Sequence, residues 1–297
     1  MSSLNGKSIV ITGSGGGIGA AYAHLVAREG ASVVVNDLDQ QAVDATVVSI
    51  EAAGGRAIGV VGSVAVAAQA EGLIDACVDT FGSIDGLVNN AGLMIIAEPD
   101  DFDESRTRQL LEVNVLGSIF CGVRAMRHMR RQGSGVIVNV TSGAHMGLGA
   151  SSIYGASKGA IASLTYGWAT DLAGTGIRVN AVSPMAGTQM AADVLQFQGV
   201  DARRLSGFPA PADNAPLVAY LLCDASAHVN GQVIRIDAGE ISVIGRPAII
   251  RPSVAQDTWD VDGVAKAFEN CLNEQLNPIG LLQVTGDFAY TTVKSEA

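Results

Sequence analysis

The sequence is sparing in charge, proline and cysteine, and each scarcity narrows what the chain can be. Only 16% of its 297 residues are charged, and the hydrophobic share is 48% with a mean hydropathy of +0.32. Such a balance supports a compact apolar interior and excludes a disordered chain. There is no basic surplus: the formal charge is −11, which argues against a phosphate backbone as partner. No stretch reaches the ~18 uninterrupted apolar residues of a membrane span. The N-terminal MSSLNGKSIVITG runs straight into a strand without a secretion-signal pattern. The four cysteines (Cys77, Cys121, Cys223, Cys271) are far apart and form no C-x-x-C, so they read as buried, reduced thiols of a cytoplasmic protein. His24, His128, His145 and His228 show no metal-ligand spacing either, and no metal site is expected. Proline is rare (8) and no internal repeat or low-complexity run interrupts the chain.

What the sequence does contain is alternation. Ser8–Ile11 is a short β-branched run, hence a buried strand, and Thr12-Gly13-Ser14-Gly15-Gly16-Gly17-Ile18-Gly19 follows it into a helical pattern from Ala20 to Glu29. In the order strand, glycine turn, helix, the glycines let backbone approach a pyrophosphate, and the helix N-terminus offers free N–H groups. A second strand from Ser32 ends at Asp37, followed by Leu38. A carboxylate there accepts hydrogen bonds from both ribose hydroxyls of an adenosine and repels a 2′-phosphate. No Arg or Lys lies between Thr12 and Arg56 except Arg28, so NAD is expected rather than NADP. Further helices (38–53, 66–81, a long one over 103–131 with a break, 215–223) alternate with strands (57–61, 84–89, 136–140, 177–182, 232–236). Seven strands alternating with helices predict an α/β fold, a doubly wound Rossmann-type parallel sheet covered on both faces. Its ligands belong at the carboxyl ends of the strands.

The central stretch Ser151-Ser152-Ile153-Tyr154-Gly155-Ala156-Ser157-Lys158 reads as a helix start, with Ser151 and Ser152 as caps. Tyr154 and Lys158, four apart, share one side of that helix. An ammonium beside a phenol favours the phenolate, which makes the two an acid/base couple near neutral pH.

Taken together, T-G-x-x-x-G-x-G at Thr12–Gly19, N-N-A-G at Asn89–Gly92, Asn114, Ser142 and Tyr154-x-x-x-Lys158 resemble the short-chain dehydrogenase/reductase family, in its branch of about 250 residues, over roughly residues 5–240. The resemblance implies Tyr154 as general acid/base, Lys158 lowering its pKa and holding the nicotinamide ribose, Ser142 bonding the substrate oxygen, and Asn114 fixing a water in a proton path. It also implies a dinucleotide held by Gly13, Gly16, Gly17, Ile18, Gly19, Asp37, Leu38, Ser63, Val64, Asn90, Ala91, Gly92, Tyr154, Lys158, Pro184 and Thr188. Homotetramers or homodimers are usual in the family.

Three departures stand out. Ser142 precedes Tyr154 by twelve residues where thirteen is usual, so Thr141 competes for the serine role. Gly62 replaces a frequent Asp, leaving Ser63 to serve, and Pro184-Met185 replaces P-G. P-x-A-G-T-x-M after strand six and V-V-V-N-D-L at Val33–Leu38 are similar to the (3R)-hydroxyacyl-CoA dehydrogenase part of peroxisomal multifunctional enzymes. An acyl-CoA or a cyclic, steroid-like secondary alcohol is therefore the expected substrate class; a non-catalytic NAD-binding scaffold is the alternative. Residues 186–211 read as a candidate lid. Residues 1–240 form the expected domain and 241–297 an extension, with Asp262 capping a helix that packs on the domain or on a neighbouring subunit.

Overall fold

The computed structural model describes residues 3–276. They form two compact units, 1–244 and 245 onward, so the first unit takes in four residues assigned above to the extension.

In the first unit, helices cover both faces of one sheet. The strands are β1 (Ser8–Ile11), β2 (Ser32–Asp37), β3 (Arg56–Val61), β4 (Gly86–Asn89), β5 (Gly135–Val140), β6 (Ile177–Pro184), β7 (Val233–Asp237) and β8 (Glu240–Ile244). They lie in the order β3-β2-β1-β4-β5-β6-β7-β8. The expected seven strands run parallel. The eighth is a correction: β8 turns back beside β7 with Ile236 opposite Ile241 and Ile234 opposite Val243. Glu240-Ile241-Ser242-Val243-Ile244 alternates polar and apolar, but the two-residue turn at Ala238-Gly239 hides its pairing in a sequence read as seven crossovers. Ala238 takes a left-handed φ of 52° there.

The helices of this unit are α1 (Gly17–Arg28), α2 (Gln40–Ala52), α3 (Ala67–Phe81), α4 (Glu104–Leu111), α5 (Ser118–Gln132), α6 (Ser152–Asp171), α7 (Gln189–Phe197) and α8 (Ala215–Leu222). Strand periodicity sorts the core into two layers. Ile9, Ile11, Val33 and Val35 pack with Tyr22 and Val26 of α1 and with Val218 and Leu222 of α8. Val10, Val34 and Leu87 point the other way, onto Leu73 and Ile74 of α3 and Cys121 and Met129 of α5. Both layers exclude water, which explains why these strands read as unbroken apolar runs.

Local chemistry fixes the element ends. Asp39 caps α2 by accepting from the Gln41 N–H at 2.8 Å, and Asp103 caps α4 through the Arg106 N–H at 2.9 Å. Ser151 stands at the N-cap of α6, but its hydroxyl makes no capping bond; its carbonyl accepts from the Gly155 N–H instead. In the second unit α9 (Val261–Asn270) is capped by Asp260, bonded to the Gly263 N–H at 2.7 Å, and not by Asp262, which already lies inside the first turn. Cys77, Cys121 and Cys223 are buried, but Cys271 is half-buried, which corrects the reading of four buried thiols. Burial pushes the Cys77 and Cys121 thiols up to about 12, so neither is a nucleophile at neutral pH.

Candidate active site

Strand order reverses between β1 and β4, and the loops leaving those two strands are stitched together. Thr12 follows β1 and Asn90 follows β4. The Asn90 side chain donates to the Thr12 and Gly13 carbonyls at 2.9 and 2.8 Å, and the Thr12 hydroxyl accepts from the Asn90 and Ala91 N–H groups, both at 3.0 Å. This is the crevice where doubly wound sheets hold ligands.

The glycines of the first turn divide by task. Gly13 and Gly19 serve internal packing: a Cβ on Gly13 would stand 2.8 Å from the Ala91 Cα, and one on Gly19 would collide with the Gly13 carbonyl. Gly16 and Gly17 leave open ground, since a Cβ on either would meet nothing within 4 Å. Gly17 is nonetheless left-handed (φ 55°) and opens α1, whose N-terminus has no side-chain cap and no acidic residue in its first turn. The N–H groups of the first turn of α1, with Gly16 and Gly17 exposed above open space, fit a pyrophosphate. At the end of β2, half-buried Asp37 accepts from the Gly15 N–H at 3.1 Å on one oxygen and the Leu38 N–H at 2.8 Å on the other. Each oxygen keeps acceptor capacity for ribose hydroxyls. Leu38 beside it is exposed. Ser63 and Val64 follow β3; the Ser63 hydroxyl accepts from the Ala65 N–H at 3.2 Å, and Val64 is buried against Gly117. Pro184 ends β6, and Thr188 occupies the N-cap of α7. These residues fit a dinucleotide laid across the carboxyl edge of the sheet.

Gly17→Ala separates binding from folding. A side chain at φ 55° costs about 1–2 kcal/mol, so thermal unfolding shifts by several degrees and the protein still folds. Dinucleotide affinity, read by fluorescence titration with NADH, should fall at least tenfold.

The second half of the site is built around α6. Tyr154 and Lys158 are both buried, with the ammonium 5.8 Å from the centre of the phenol ring. Lys158 Nζ donates to the Val140 carbonyl at 2.8 Å, and burial lowers its pKa to about 8. Lys158 does not pull the phenol down as the spacing predicts. Burial pushes the Tyr154 pKa up, opposed only by a hydrogen bond with the Ser142 side chain; loss of solvent outweighs the partner. Ser142 meets Tyr154 and also accepts from the Ala144 N–H at 3.2 Å. Thr141 faces elsewhere, its hydroxyl donating to the Lys158 carbonyl at 2.8 Å. Of the two, Ser142 is the one whose side chain meets Tyr154.

Asn114 sits in a π-helical turn, Glu112–Gly117, between α4 and α5. The break expected in that helix is this extra-wide turn, of a kind frequent at functional sites. The Asn114 side chain clamps Leu93, accepting from its N–H at 2.7 Å and donating to its carbonyl at 2.9 Å, and donates to the Ser157 hydroxyl at 3.0 Å. Gly92 lies between: a Cβ there would come within 3.3 Å of Asn114 Oδ1 and 3.4 Å of Lys158 Nζ.

The structure also brings in residues that the motifs did not name. Ser157 receives Asn114 and donates to the Tyr154 carbonyl at 2.7 Å. Asn139 joins Asn89 at 2.9 Å and Thr165 at 2.9 Å, tying β4 and β5 to α6. An Asn inside the buried run Val136-Ile137-Val138-Asn139-Val140 is the sequence signal for such a tie. His145 Nδ1 contacts the Ser142 carbonyl. Among the described residues no group of His, Cys, Asp and Glu is placed to hold a metal ion, and no helix is long and apolar enough to cross a membrane.

Comparison with known proteins agrees with this geometry. The family model for short chain dehydrogenase matches residues 7–199. The cis-4-hydroxycyclohexanecarboxylate dehydrogenase of Sinomonas cyclohexanicum is 38% identical, with 79% of this chain and 96% of that protein covered. A short chain dehydrogenase from Mycobacterium avium superposes with a TM-score of 0.82 at 30% identity, covering 94% of this chain and 98% of its own. NAD+-bound xylitol dehydrogenase superposes with a TM-score of 0.75 at 32% identity, covering 80% and 99%. The chain belongs to the short-chain dehydrogenase/reductase family. It is an oxidoreductase that works with a nicotinamide dinucleotide.

Proposed function

We propose that this protein is an NAD-dependent dehydrogenase that interconverts a secondary alcohol and a ketone, with Tyr154 as the acid/base. The observation that carries this reading is the convergence of the Ser142 and Tyr154 side chains, beside Lys158, at the carboxyl edge of the sheet. The glycine turn and Asp37 would hold NAD, whose chemistry there would be that of a hydride acceptor for alcohol oxidation and, reduced, a hydride donor for the ketone. Everything else falls to the chain. Ser142 holds the substrate oxygen by a hydrogen bond. Tyr154 takes the proton that this oxygen releases, or returns it in the reverse direction. Lys158 would hold the nicotinamide ribose, and its ammonium beside the phenol stabilises the ionised form. Asn114 fixes the loop at Leu93 and, through Ser157, the first turn of α6; the remaining lone pair of its Oδ1 is available to a water leading towards Lys158.

Asp37 supports NAD over NADP. Its two oxygens are partly satisfied and neither lies in a basic setting, so a 2′-phosphate would meet a carboxylate with no cation to offset it. The substrate side is apolar: Ile95, Leu110, Ala144 and Tyr154 form one cluster with Met94, Ala97, Leu148 and Ile153 packed on it. An aliphatic or ring-bearing alcohol suits that wall. The named activity of the Sinomonas relative supports a cyclic secondary alcohol, while the motif resemblance supports a 3-hydroxyacyl-CoA. We extend the family pattern to a homotetramer or homodimer in the cytoplasm, which sizing by light scattering addresses for the assembly.

The test is NADH formation by the purified full chain on 4-hydroxycyclohexanecarboxylate, steroid alcohols and (3R)-hydroxyacyl-CoA thioesters, with NAD and NADP in parallel. Turnover with NAD on any member, at least tenfold above that with NADP, is the expected result. Dinucleotide binding without turnover on any of them would favour the scaffold.

A further inference from the structure

Resting on the dehydrogenase reading above, we infer that Arg106 is a specificity residue. It selects substrates carrying an anionic group, a carboxylate or sulfonate, at the end remote from the reacting carbon.

A groove of about 370 Å³ is lined by Met94, Ile96, Arg106, Asp193, Gln196 and Phe197. It lies beside the reaction site in one respect: Met94, part of its lining, also packs on the cluster that contains Tyr154. The α4 wall supplies Arg106 and the α7 wall supplies Asp193, Gln196 and Phe197, with Met94 and Ile96 as apolar ground between. A ring or short aliphatic chain held on that ground, its carbinol at Tyr154, presents its far end to the groove.

The two charged groups in the groove are not equivalent. The Asp193 carboxylate already accepts from the Gln189 side chain at 2.8 Å. The Arg106 backbone N–H is engaged by the helix cap at Asp103, whereas its guanidinium has no hydrogen bond or ion pair among the described residues. Its neighbour two positions on, Arg108, is by contrast paired with Glu104 at 2.8 Å. Five planar N–H donors with nothing to hold match a carboxylate or sulfonate in two-point contact. The chain carries a net charge of −11, so its overall field repels anions. Arg106 is the local cation that offsets that field, set against the Asp193 carboxylate that also lines the groove. Arg106 is an exposed side chain, so the discrimination it adds is small, at most about fivefold.

The experiment compares kcat/KM for 4-hydroxycyclohexanecarboxylate and its methyl ester in the full-length wild type, Arg106→Ala, Arg106→Lys and Arg108→Ala. The wild type should prefer the acid. Arg106→Ala should lower the acid-to-ester ratio up to about fivefold and Arg106→Lys by less, since it keeps the charge but loses the fork; Arg108→Ala should keep the ratio. An unchanged ratio in Arg106→Ala, or a wild type that prefers 4-aminocyclohexanol to the acid, overturns the assignment. Calorimetric binding of cyclohexanecarboxylate against cyclohexanecarboxamide gives a readout free of turnover. If no alcohol is oxidised, the dehydrogenase reading fails, and calorimetry alone decides Arg106. Tighter binding of the acid that disappears in Arg106→Ala supports the role; equal binding of acid and amide, or no effect of the substitution, ends it.

Discussion

Tyr154→Phe is expected to lower turnover about a thousandfold while dinucleotide affinity stays within about twofold. The change removes one hydroxyl and leaves the ring packed against Ile95, Leu110 and Ala144, so folding is disturbed little. Lost with it is the group that exchanges a proton with the substrate oxygen, and general acid–base catalysis is worth ~10²–10⁴ in rate. Steady-state rates in both directions, beside an NADH fluorescence titration, measure the two quantities separately. Retained turnover would move the acid/base role off Tyr154. The pH dependence follows from burial. With the phenol held above its ordinary pKa of 10, the neutral, proton-donating form dominates in the unliganded protein. Ketone reduction is then favoured at lower pH, and kcat/KM for alcohol oxidation climbs as the pH rises.

Lys158→Met should abolish turnover to a similar degree and yet stabilise the unliganded protein near pH 7. Burial takes the Lys158 pKa from its ordinary 10.5 to about 8. Between those two values the unfolded chain binds a proton that the folded chain does not, so stability from this group rises with pH across that window. The contribution is complete above 10.5 and is lost as the pH falls through 8. Below that, the fold carries a buried ammonium that donates to the Val140 carbonyl, at a cost on the order of 3 kcal/mol. Methionine fills similar space without the charge. Because Cys77 and Cys121, raised to about 12, titrate in the opposite sense above pH 9, the measurement is the difference between wild type and variant. Urea unfolding of both from pH 7 to pH 10.5 should show a stability gap that favours the variant at pH 7 and closes upward. A variant less stable than wild type at pH 7 would mean that the hydrogen bond to Val140 outweighs desolvation. The cost is instructive about function, since a buried group with a pKa shifted this far marks a functional-site candidate.

Much of the fold was legible because parallel strands buried on both faces have to be apolar throughout. Val33-Val34-Val35 or Val136-Ile137-Val138 reads as a strand with no further information. Less legible was anything set by one or two residues against a distant partner. The edge strand β8 depends on a two-residue turn, and the cap of α9 fell to Asp260 rather than Asp262 by which carboxylate reaches the Gly263 N–H. The capping role given to Ser151 failed because its hydroxyl makes no bond to the first turn of α6.

The sequence by itself determined the order of strands and helices, the glycine turn, the carboxylate closing β2, and the pairing of Tyr154 with Lys158 on one side of a helix. All of these follow from local periodicity and short spacings. Only the tertiary structure decided that Ser142 rather than Thr141 meets Tyr154, that Gly13 and Gly19 serve packing while Gly17 faces open ground, and that Arg106 and Asp193 line one groove. It also decided that Tyr154 is held protonated, reversing the sign expected from its neighbour. The reason is physical: a pKa, a steric limit or a hydrogen bond depends on how much water is excluded and which atoms come within about 3 Å, and those distances are set by chain segments tens of residues apart.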